Sequence, residues 1–166
     1  MPSFKNLKEL EKHLNQKIKK AMENEVAEKV RDVQQQKIDK EVYAAYNIVD
    51  GSHQEPYKYE RRRDDGGLRD RRNMVATVTE SNGKIELSVE NVAEGKDQIN
   101  IDLAGLIEYG AGRYGYYQYP YNRDDTAWQF MQPRPFIRET RNELASTNQH
   151  VEALKKGLQK QGIDVE

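Results

Sequence analysis

The sequence predicts an α+β fold in which a long N-terminal helix and a C-terminal helix pack on a small antiparallel sheet, with long loops between them. Three observations predict this fold. Apolar residues recur at steps of three or four over residues 4–40 and again over residues 136–160. Between these stretches, two alternating segments meet at an Asn-Gly pair, which is typical of a hairpin. We expect the elements to form one domain over residues 1–166.

The N-terminal helix is predicted over residues 4–40. Its apolar face consists of Phe4, Leu7, Leu10, Leu14, Ile18, Met22, Val26, Val30 and Val33. Asn6 and Glu9 have the spacing of a capping box, so the helix is expected to begin there. A helix of some 30 residues spans about 45 Å. It could therefore pack entirely on its own domain, or its distal part could pack on a neighbouring subunit.

The sheet is predicted as a β-meander over residues 74–110. Asn82-Gly83 joins two alternating segments, because both positions accept positive φ. Residues 103–109 fit either a further short strand or a turn of helix. An Arg-rich loop over residues 50–73 precedes the sheet, and a Gly/Tyr loop over residues 110–130 follows it. In the C-terminal helix over residues 136–160, Gly157 and Gly162 are expected to weaken or end the helix.

The composition is polar for a chain of 166 residues. Only 36% of the residues are hydrophobic and the mean hydropathy is -1.05, whereas soluble domains usually contain about 45–50% apolar residues. The ten tyrosines suit partly wet interfaces. We therefore expect an assembly subunit that buries part of its surface against other chains. The formal charge of -1 is unlike the basic excess of a generic nucleic-acid binder.

Several kinds of site and segment are not expected. The chain has no cysteine, which excludes disulfides and thiolate metal sites. No apolar run resembles a signal peptide or a membrane span, so we expect a protein made in the cytoplasm without membrane contact. The three histidines lack ligand spacing, and no nucleophile–base constellation can be assigned. No metal, no catalytic residue and no enzymatic activity are expected.

Three glycines, at positions 110, 112 and 115, match the dinucleotide-binding pattern. That site requires a strand before the glycines and a helix after them. Here an aromatic run closed by Pro120 follows, so we interpret the match as accidental and expect no cofactor. The loop either folds on its own domain or docks on an adjacent copy or partner, for which Tyr114, Tyr116 and Tyr117 offer adhesive surface.

Within the Arg-rich loop, residues 58–72 carry seven cations interrupted by four acids. The cations are Lys58, Arg61, Arg62, Arg63, Arg69, Arg71 and Arg72. Three uses remain open. The arginines could form salt bridges within or between chains. They could contact a nucleic-acid backbone while Tyr57 and Tyr59 stack on bases. The loop could also be merely solvated.

Three short motifs occur in a fixed order between the terminal helices. They are Tyr57-Lys-Tyr-Glu-Arg-Arg with Gly66-Gly67-Leu68 downstream, Ile107-Glu108-Tyr109-Gly110, and Gln132-Pro133-Arg134-Pro135-Phe136-Ile137. In this order they resemble the HK97 gp10-like family of tailed bacteriophages, over roughly residues 4–158. Members of that family are small neck components, described as tail-completion or head–tail joining proteins.

The resemblance implies a non-enzymatic structural protein of the virion, made in the host bacterial cytoplasm. Its expected partners are copies of itself in a ring, as a hexamer, and adjacent neck proteins: a connector or stopper, a tail terminator or the tail tube. DNA would pass through the ring without sequence-specific binding. Expected interface residues are Tyr57, Tyr59, Arg61, Arg62, Arg63, Glu108, Tyr109, Tyr114, Tyr116, Tyr117, Arg134 and Phe136.

Two alternatives remain at this point. One is a tail terminator protein that caps the tail tube. The other is a nucleic-acid-binding regulator that uses the Arg-rich loop.

Overall fold

A computed structural model describes residues 4–44, 62–94, 102–110 and 133–165. These residues form the predicted α+β arrangement, with a long N-terminal helix, a two-stranded antiparallel sheet and C-terminal helices. The first part of the Arg-rich loop and nearly all of the Gly/Tyr loop lie outside the described residues. The predictions that fall on those two segments therefore stay predictions.

The N-terminal helix is built from four segments that follow one another without a break. They are α1 (Leu7–Ala21), a π-helical segment (Met22–Val26), α2 (Ala27–Lys37) and a second π-helical segment (Ile38–Ala44). No glycine or proline interrupts this stretch. The helical backbone therefore continues four residues past the predicted end and is about 55 Å long.

The start of this helix is fixed by Asn6, which is the N-cap of α1. Its side-chain Oδ1 accepts a hydrogen bond of 2.9 Å from the backbone N–H of Glu9. The Glu9 carboxylate in turn accepts from the backbone N–H of Lys5 at 3.0 Å. The start predicted from the capping-box spacing is therefore confirmed, and the apolar stripe of the helix begins at Leu7.

The hairpin consists of β1 (Met74–Ser81) and β2 (Lys84–Asn91), paired antiparallel along their whole length. Asn82 and Gly83 form the turn with φ values of 52° and 75°. Both residues tolerate this left-handed conformation, and so the turn fixes the register of the strands. The hairpin predicted from the Asn-Gly pair is confirmed.

The predicted β-meander over residues 74–110 is wrong in its last part. In the described residues the sheet has two strands, and Leu103–Tyr109 is a helix, α3. Asp102 is its N-cap and accepts from the backbone N–H of Gly105 at 2.8 Å. The cap gives an acceptor to a backbone N–H of the first helical turn, which has no partner within the helix. The helical alternative for this segment is therefore the right one.

The C-terminal helix predicted over residues 136–160 is two helices, α4 (Phe136–Thr147) and α5 (Gln149–Lys160). Asn148 separates them with φ of 53°, in the left-handed region that asparagine adopts more readily than most residues. The prediction of one continuous helix is therefore wrong, because the break lies at this asparagine and not at a glycine.

Gly157 lies inside α5 and has a packing role. A Cβ added there would lie 2.8 Å from the Cβ of Ala21 and 3.2 Å from its Cα, closer than real side chains pack. Two small residues thus let the backbone of α5 approach α1 directly. This contact outweighs the low helix propensity of glycine, which is about 1 kcal/mol below that of alanine.

The main core lies where the second π-helical segment, the base of the hairpin, α3 and α4 meet. Its buried members are Ile38, Val42, Leu68, Met74, Ala93, Ala104 and Phe136. Phe136 is completely buried, as are Ile38 and Met74. The described parts of the three sequence motifs are anchored in or beside this core, which determines the geometry of the site.

Candidate functional site

The second and third motifs meet in a joint between α3 and the start of α4. The Glu108 carboxylate accepts hydrogen bonds from the backbone N–H groups of Ile137, at 2.7 Å, and Arg138, at 3.1 Å. The backbone N–H of Arg134 donates to the carbonyl oxygen of Ile107 at 2.8 Å. Glu108 is 5% exposed, so this carboxylate is used inside the chain. We call this arrangement the Glu108 joint.

The joint satisfies a need created by the local sequence of α4. Pro135 occupies the N-cap position of this helix and supplies no side-chain acceptor, and so the first N–H groups need acceptors from elsewhere. Glu108 supplies two oxygens from a distant part of the sequence. Its negative charge also lies at the positive end of the helix dipole. A carboxylate at this place therefore orients α4 relative to α3.

The described part of the first motif reaches the same core. Leu68 is buried in the cluster that contains Phe136. The preceding Gly67 lies so close to the backbone that an added Cβ would sit 1.5 Å from the carbonyl oxygen of Arg62. Only glycine fits this tight turn. Parts of all three motifs, far apart in sequence, are thus joined in one packed unit.

Three arginines of residues 62–72, namely Arg63, Arg69 and Arg71, face acidic side chains on the N-terminal helix. Arg71 pairs with Glu28 and with Asp32. Asp39 accepts from both Arg63 and Arg69, each at 2.9 Å. The chain therefore uses these arginines to hold residues 62–72 against α2 and the segment that follows it.

The intramolecular salt bridges that were one of three predicted uses are confirmed for Arg63, Arg69, Arg71 and Arg72. Most of these side chains are half-exposed, and each such pair contributes little, about 0–1 kcal/mol. Their combined effect is to hold residues 62–72 in one position on the N-terminal helix, because several contacts act on the same segment. The sequence held a signal for this arrangement: Glu28, Asp32, Gln35 and Asp39 recur at steps of four, three and four, which places them on one helix face. The sequence reasoning missed it.

Asp70 organises the turn at the end of this segment. Its carboxylate accepts from the backbone N–H of Gly66 at 2.8 Å and from that of Arg72 at 2.9 Å. The Arg72 guanidinium also donates to it, at 2.6 Å. The Arg72 guanidinium, assisted by the Gly66 N–H, holds the pKa of the Asp70 carboxyl well below its usual range. Since the Arg72 side chain is 71% exposed, its charge is largely screened, and the backbone hydrogen bonds matter most for stability.

Asp70→Asn is expected to lower the free energy of unfolding by about 1–2 kcal/mol at neutral pH. Because the pKa of Asp70 is lower in the folded than in the unfolded chain, its contribution is full above about pH 4 and is lost as the pH falls below that value. The difference in urea midpoint between wild type and variant should therefore shrink on acidification. Asp65→Asn, at a fully exposed partner of the same Arg72, should show no such trend. A difference that stayed constant to low pH would contradict this account.

One comparison with known proteins identifies the family. The model of the YomN family matches residues 6–160, which is most of the chain. The chain belongs to the YomN family. This family is phage-derived, of the Bacillus prophage type, and so the chain is a phage-associated protein. The match supports the phage origin implied by the resemblance, but not the HK97 gp10-like family in particular. No curated protein and no solved structure matches the chain significantly.

The predicted interface residues of this YomN chain divide into four groups. Glu108 and Phe136 are buried, at 5% and 0% exposure, and so the structure gives them intramolecular roles instead. Arg62 donates to the carbonyl oxygen of Glu94 at 2.8 Å. Six residues lie outside the described part of the chain: Tyr57, Tyr59, Arg61, Tyr114, Tyr116 and Tyr117.

The remaining three predicted interface residues are partly or well exposed. Arg63 lies over the Tyr43 ring, 4.9 Å from its centroid, and its side chain is 54% exposed. Arg134 is half-buried beside the Glu108 joint. Tyr109 is 54% exposed at the end of α3. Among these, Tyr109 offers the YomN chain the largest apolar surface to a partner.

Tyr109 borders an open groove of about 590 Å³ between the end of β2 and α3. Its apolar lining includes Val89, Val92, Ala104, Tyr109 and Ile137. Val92 is itself 47% exposed. Among the described residues of this YomN chain, the groove thus exposes apolar side chains to solvent.

Two other features, a metal site and a membrane-spanning helix, are absent from the described residues. These residues contain no group of three or more His, Cys, Asp or Glu that could hold a metal ion. Within the same residues, no helix has the length and apolarity needed to cross a membrane.

Proposed function

We propose that this phage-associated chain is a non-enzymatic structural subunit of the neck of a tailed-phage particle. In this proposal it is a tail-completion protein that forms a ring, as a hexamer, at the head–tail junction around the DNA channel. Its neighbours are other copies and the adjacent neck or tail proteins. The protein is made in the bacterial cytoplasm and ends in the virion.

The observation that carries this proposal is the convergence of the three motifs. The resemblance to neck proteins rests on short stretches that are each weakly specific. The Glu108 joint links two of these stretches, and Leu68 and Phe136 share one core. Residues that pack together in this way are expected to be inherited as a unit. The convergence therefore supports a common architecture with the neck proteins rather than a chance agreement of letters.

The surface of the described residues also supports an assembly subunit. Tyr109 and Val92 are about half-exposed beside the open groove. Leu7, at the far end of the N-terminal helix, is 81% exposed. A repeated interface between one such surface and a different surface on the next copy closes a ring. Burial of these side chains would compensate for the low apolar content of the chain.

The regulator alternative receives no support from the described arginines. Arg63, Arg69, Arg71 and Arg72 are each paired with carboxylates of the same chain. A nucleic-acid backbone would have to compete with these partners. A tail terminator would share the size, the fold class and the ring with our proposal. The choice between the two therefore depends on the shape of the phage particles that form without the protein.

Removal of the gene from its phage or prophage is expected to give filled heads and separate tails of normal length. Tail completion acts after the tail has formed, so its loss blocks only joining. Electron micrographs of the lysate and the infectious titre measure the outcome. Overlong tails would favour the terminator instead, and normally joined, infectious particles would contradict both structural functions.

Complementation with surface variants then tests the interface. Tyr109→Asp, at the groove, is expected to leave the fold intact and reduce joining at least tenfold, because a charge cannot be buried there without a partner. Val151→Asp is the matched control: it places the same charge on an apolar residue of α5 that is 39% exposed. Equal titres for both variants would remove the groove from the interface.

A further inference from the structure

The first helix carries a strongly basic surface, most of which takes no part in the ion pairs among the described residues. Residues 4–21 contain six lysines and two glutamates, although the whole chain has a formal charge of -1. Four of these lysines are exposed and have no carboxylate within ion-pair distance among the described residues: Lys5, Lys8, Lys12 and Lys20. We call them the α1 lysines.

The packing of α1 leaves the α1 lysines outside. Ala21 faces Gly157 of α5, and Lys17 donates to the carbonyl oxygen of Gln161 at 2.6 Å. Lys19 pairs with Glu80 at the tip of the hairpin, at 2.5 Å. These contacts occupy the apolar side of α1 and one flank. Lys8 and Lys12 lie on the same flank as Lys19 but two to three turns nearer the start of the helix, and Lys20 lies about 80° further round the axis, away from the apolar side.

The acids near these lysines do not neutralise them. Glu9 lies among them and keeps its negative charge while it accepts from the backbone N–H of Lys5 at 3.0 Å, but it is one acid against the four α1 lysines. Glu11 lies towards the apolar side. The nearest further acid along the helix is Glu23, one turn beyond the last lysine. The N-terminal half of the helix therefore presents a net positive surface.

We propose that the α1 lysines bind the phosphate backbone of duplex DNA without sequence specificity. From Lys8 to Lys20 the helix rises about 18 Å, a length over which a duplex presents about ten phosphate charges. An extended row of separated cations suits such a linear polyanion. Lysine is a flexible point charge that contacts phosphate without the fixed geometry of an arginine fork, so the contact carries no sequence information.

Duplex DNA fits this surface better than an anionic membrane does. An interfacial helix must place a continuous apolar face in the lipid. In α1 that face is half-buried against the rest of the chain from Leu14 onward, and only Leu7 and Phe4 are exposed at its end. In the proposed ring, the α1 lysines would contact the DNA in the channel. This biological role of the binding rests on the proposed function.

The test measures binding of a short labelled duplex to the full chain by fluorescence anisotropy. With four lysines engaged, the affinity should fall roughly 100-fold between about 50 mM and about 200 mM salt. Replacing Lys5, Lys8, Lys12 and Lys20 by Gln should weaken binding at the lower salt at least tenfold and remove most of the salt dependence. Circular dichroism should show an unchanged fold.

The matched control removes four other cations of the surface: Lys29, Lys84, Arg141 and Lys156, each replaced by Gln. It has the same net charge as the α1 variant and should keep its affinity within about threefold. Equal weakening by both variants, no binding by the wild type, or binding to phosphatidylglycerol vesicles but not to the duplex would overturn the proposal. The assay contains no particles, so its failure leaves the joining experiment intact, and a failure of joining leaves DNA binding intact.

Discussion

Phe136→Ala is expected to lower the free energy of unfolding of the isolated chain by about 3–5 kcal/mol. Phe136 is completely buried, and it is packed with Met74, Leu68 and Ile38 in the main core. Alanine would leave a cavity that these neighbours cannot fill without moving several elements. For a chain of this size the melting temperature should fall by roughly 10–15 °C. Urea and thermal unfolding followed by circular dichroism measure both values.

Two further variants make this expectation specific to the core. Phe136→Leu keeps most of the volume and should cost about 1 kcal/mol. Leu7→Ala removes an apolar side chain that is 81% exposed and should change stability by less than about 0.5 kcal/mol. If Phe136 were a contact residue between subunits, Phe136→Ala would behave like Leu7→Ala in the isolated chain. That result would restore the interface role and reject the core role.

The elements that the sequence predicted well are those that short-range rules determine. The Asn82-Gly83 turn requires positive φ at adjacent positions, and alternation on both sides leaves little choice but a hairpin. Asn6 caps the first helix through a contact three residues away. In both cases the interaction that decides the structure joins residues no more than a few positions apart in the sequence.

The elements that were predicted wrongly are those for which two local structures fit the sequence about equally well. Residues 103–109 are short and apolar, and such a stretch fits a strand or a helix equally well. The Asp102 cap decides for the helix. Asn148 broke the C-terminal helix because it adopts a left-handed conformation, whereas Gly157, which was expected to weaken it, stays helical because Ala21 lies against it.

The sequence pointed to the residues of the candidate site but did not predict which residues they contact. Glu108, Arg134 and Phe136 were singled out through a resemblance, which does not say whether a residue faces a partner or the interior. The structure brings Glu108 to α4, a pairing that no periodicity or spacing predicts. The acidic stripe from Glu28 to Asp39 could have been found, since its helical spacing matches the arginines that it binds. It was missed because the arginines were considered only within their own loop.

Glu108→Ala is expected to lower the free energy of unfolding by about 2–4 kcal/mol. The substitution leaves the backbone N–H groups of Ile137 and Arg138 without their acceptor at a partly buried helix start. It also removes a negative charge from the N-terminus of α4, which contributes about 0.3–1 kcal/mol. Release of the desolvation cost of a buried carboxylate offsets part of this loss, which keeps the total in that range. Urea unfolding of the isolated chain measures it.

Glu139→Ala is the matched control, because it removes the same charge from the first turn of the same helix. Glu139 is only partly buried and its nearest cation is Arg138 at 3.5 Å, so the expected change is below about 1 kcal/mol. Glu108→Gln separates shape from charge: it keeps the volume but replaces one acceptor oxygen with a donor that faces an N–H group. It should therefore lose most of the stability that Glu108→Ala loses. A Glu108→Gln variant as stable as wild type would show that the side chain only fills space, and the Glu108 joint would no longer explain how the second and third motifs are held together.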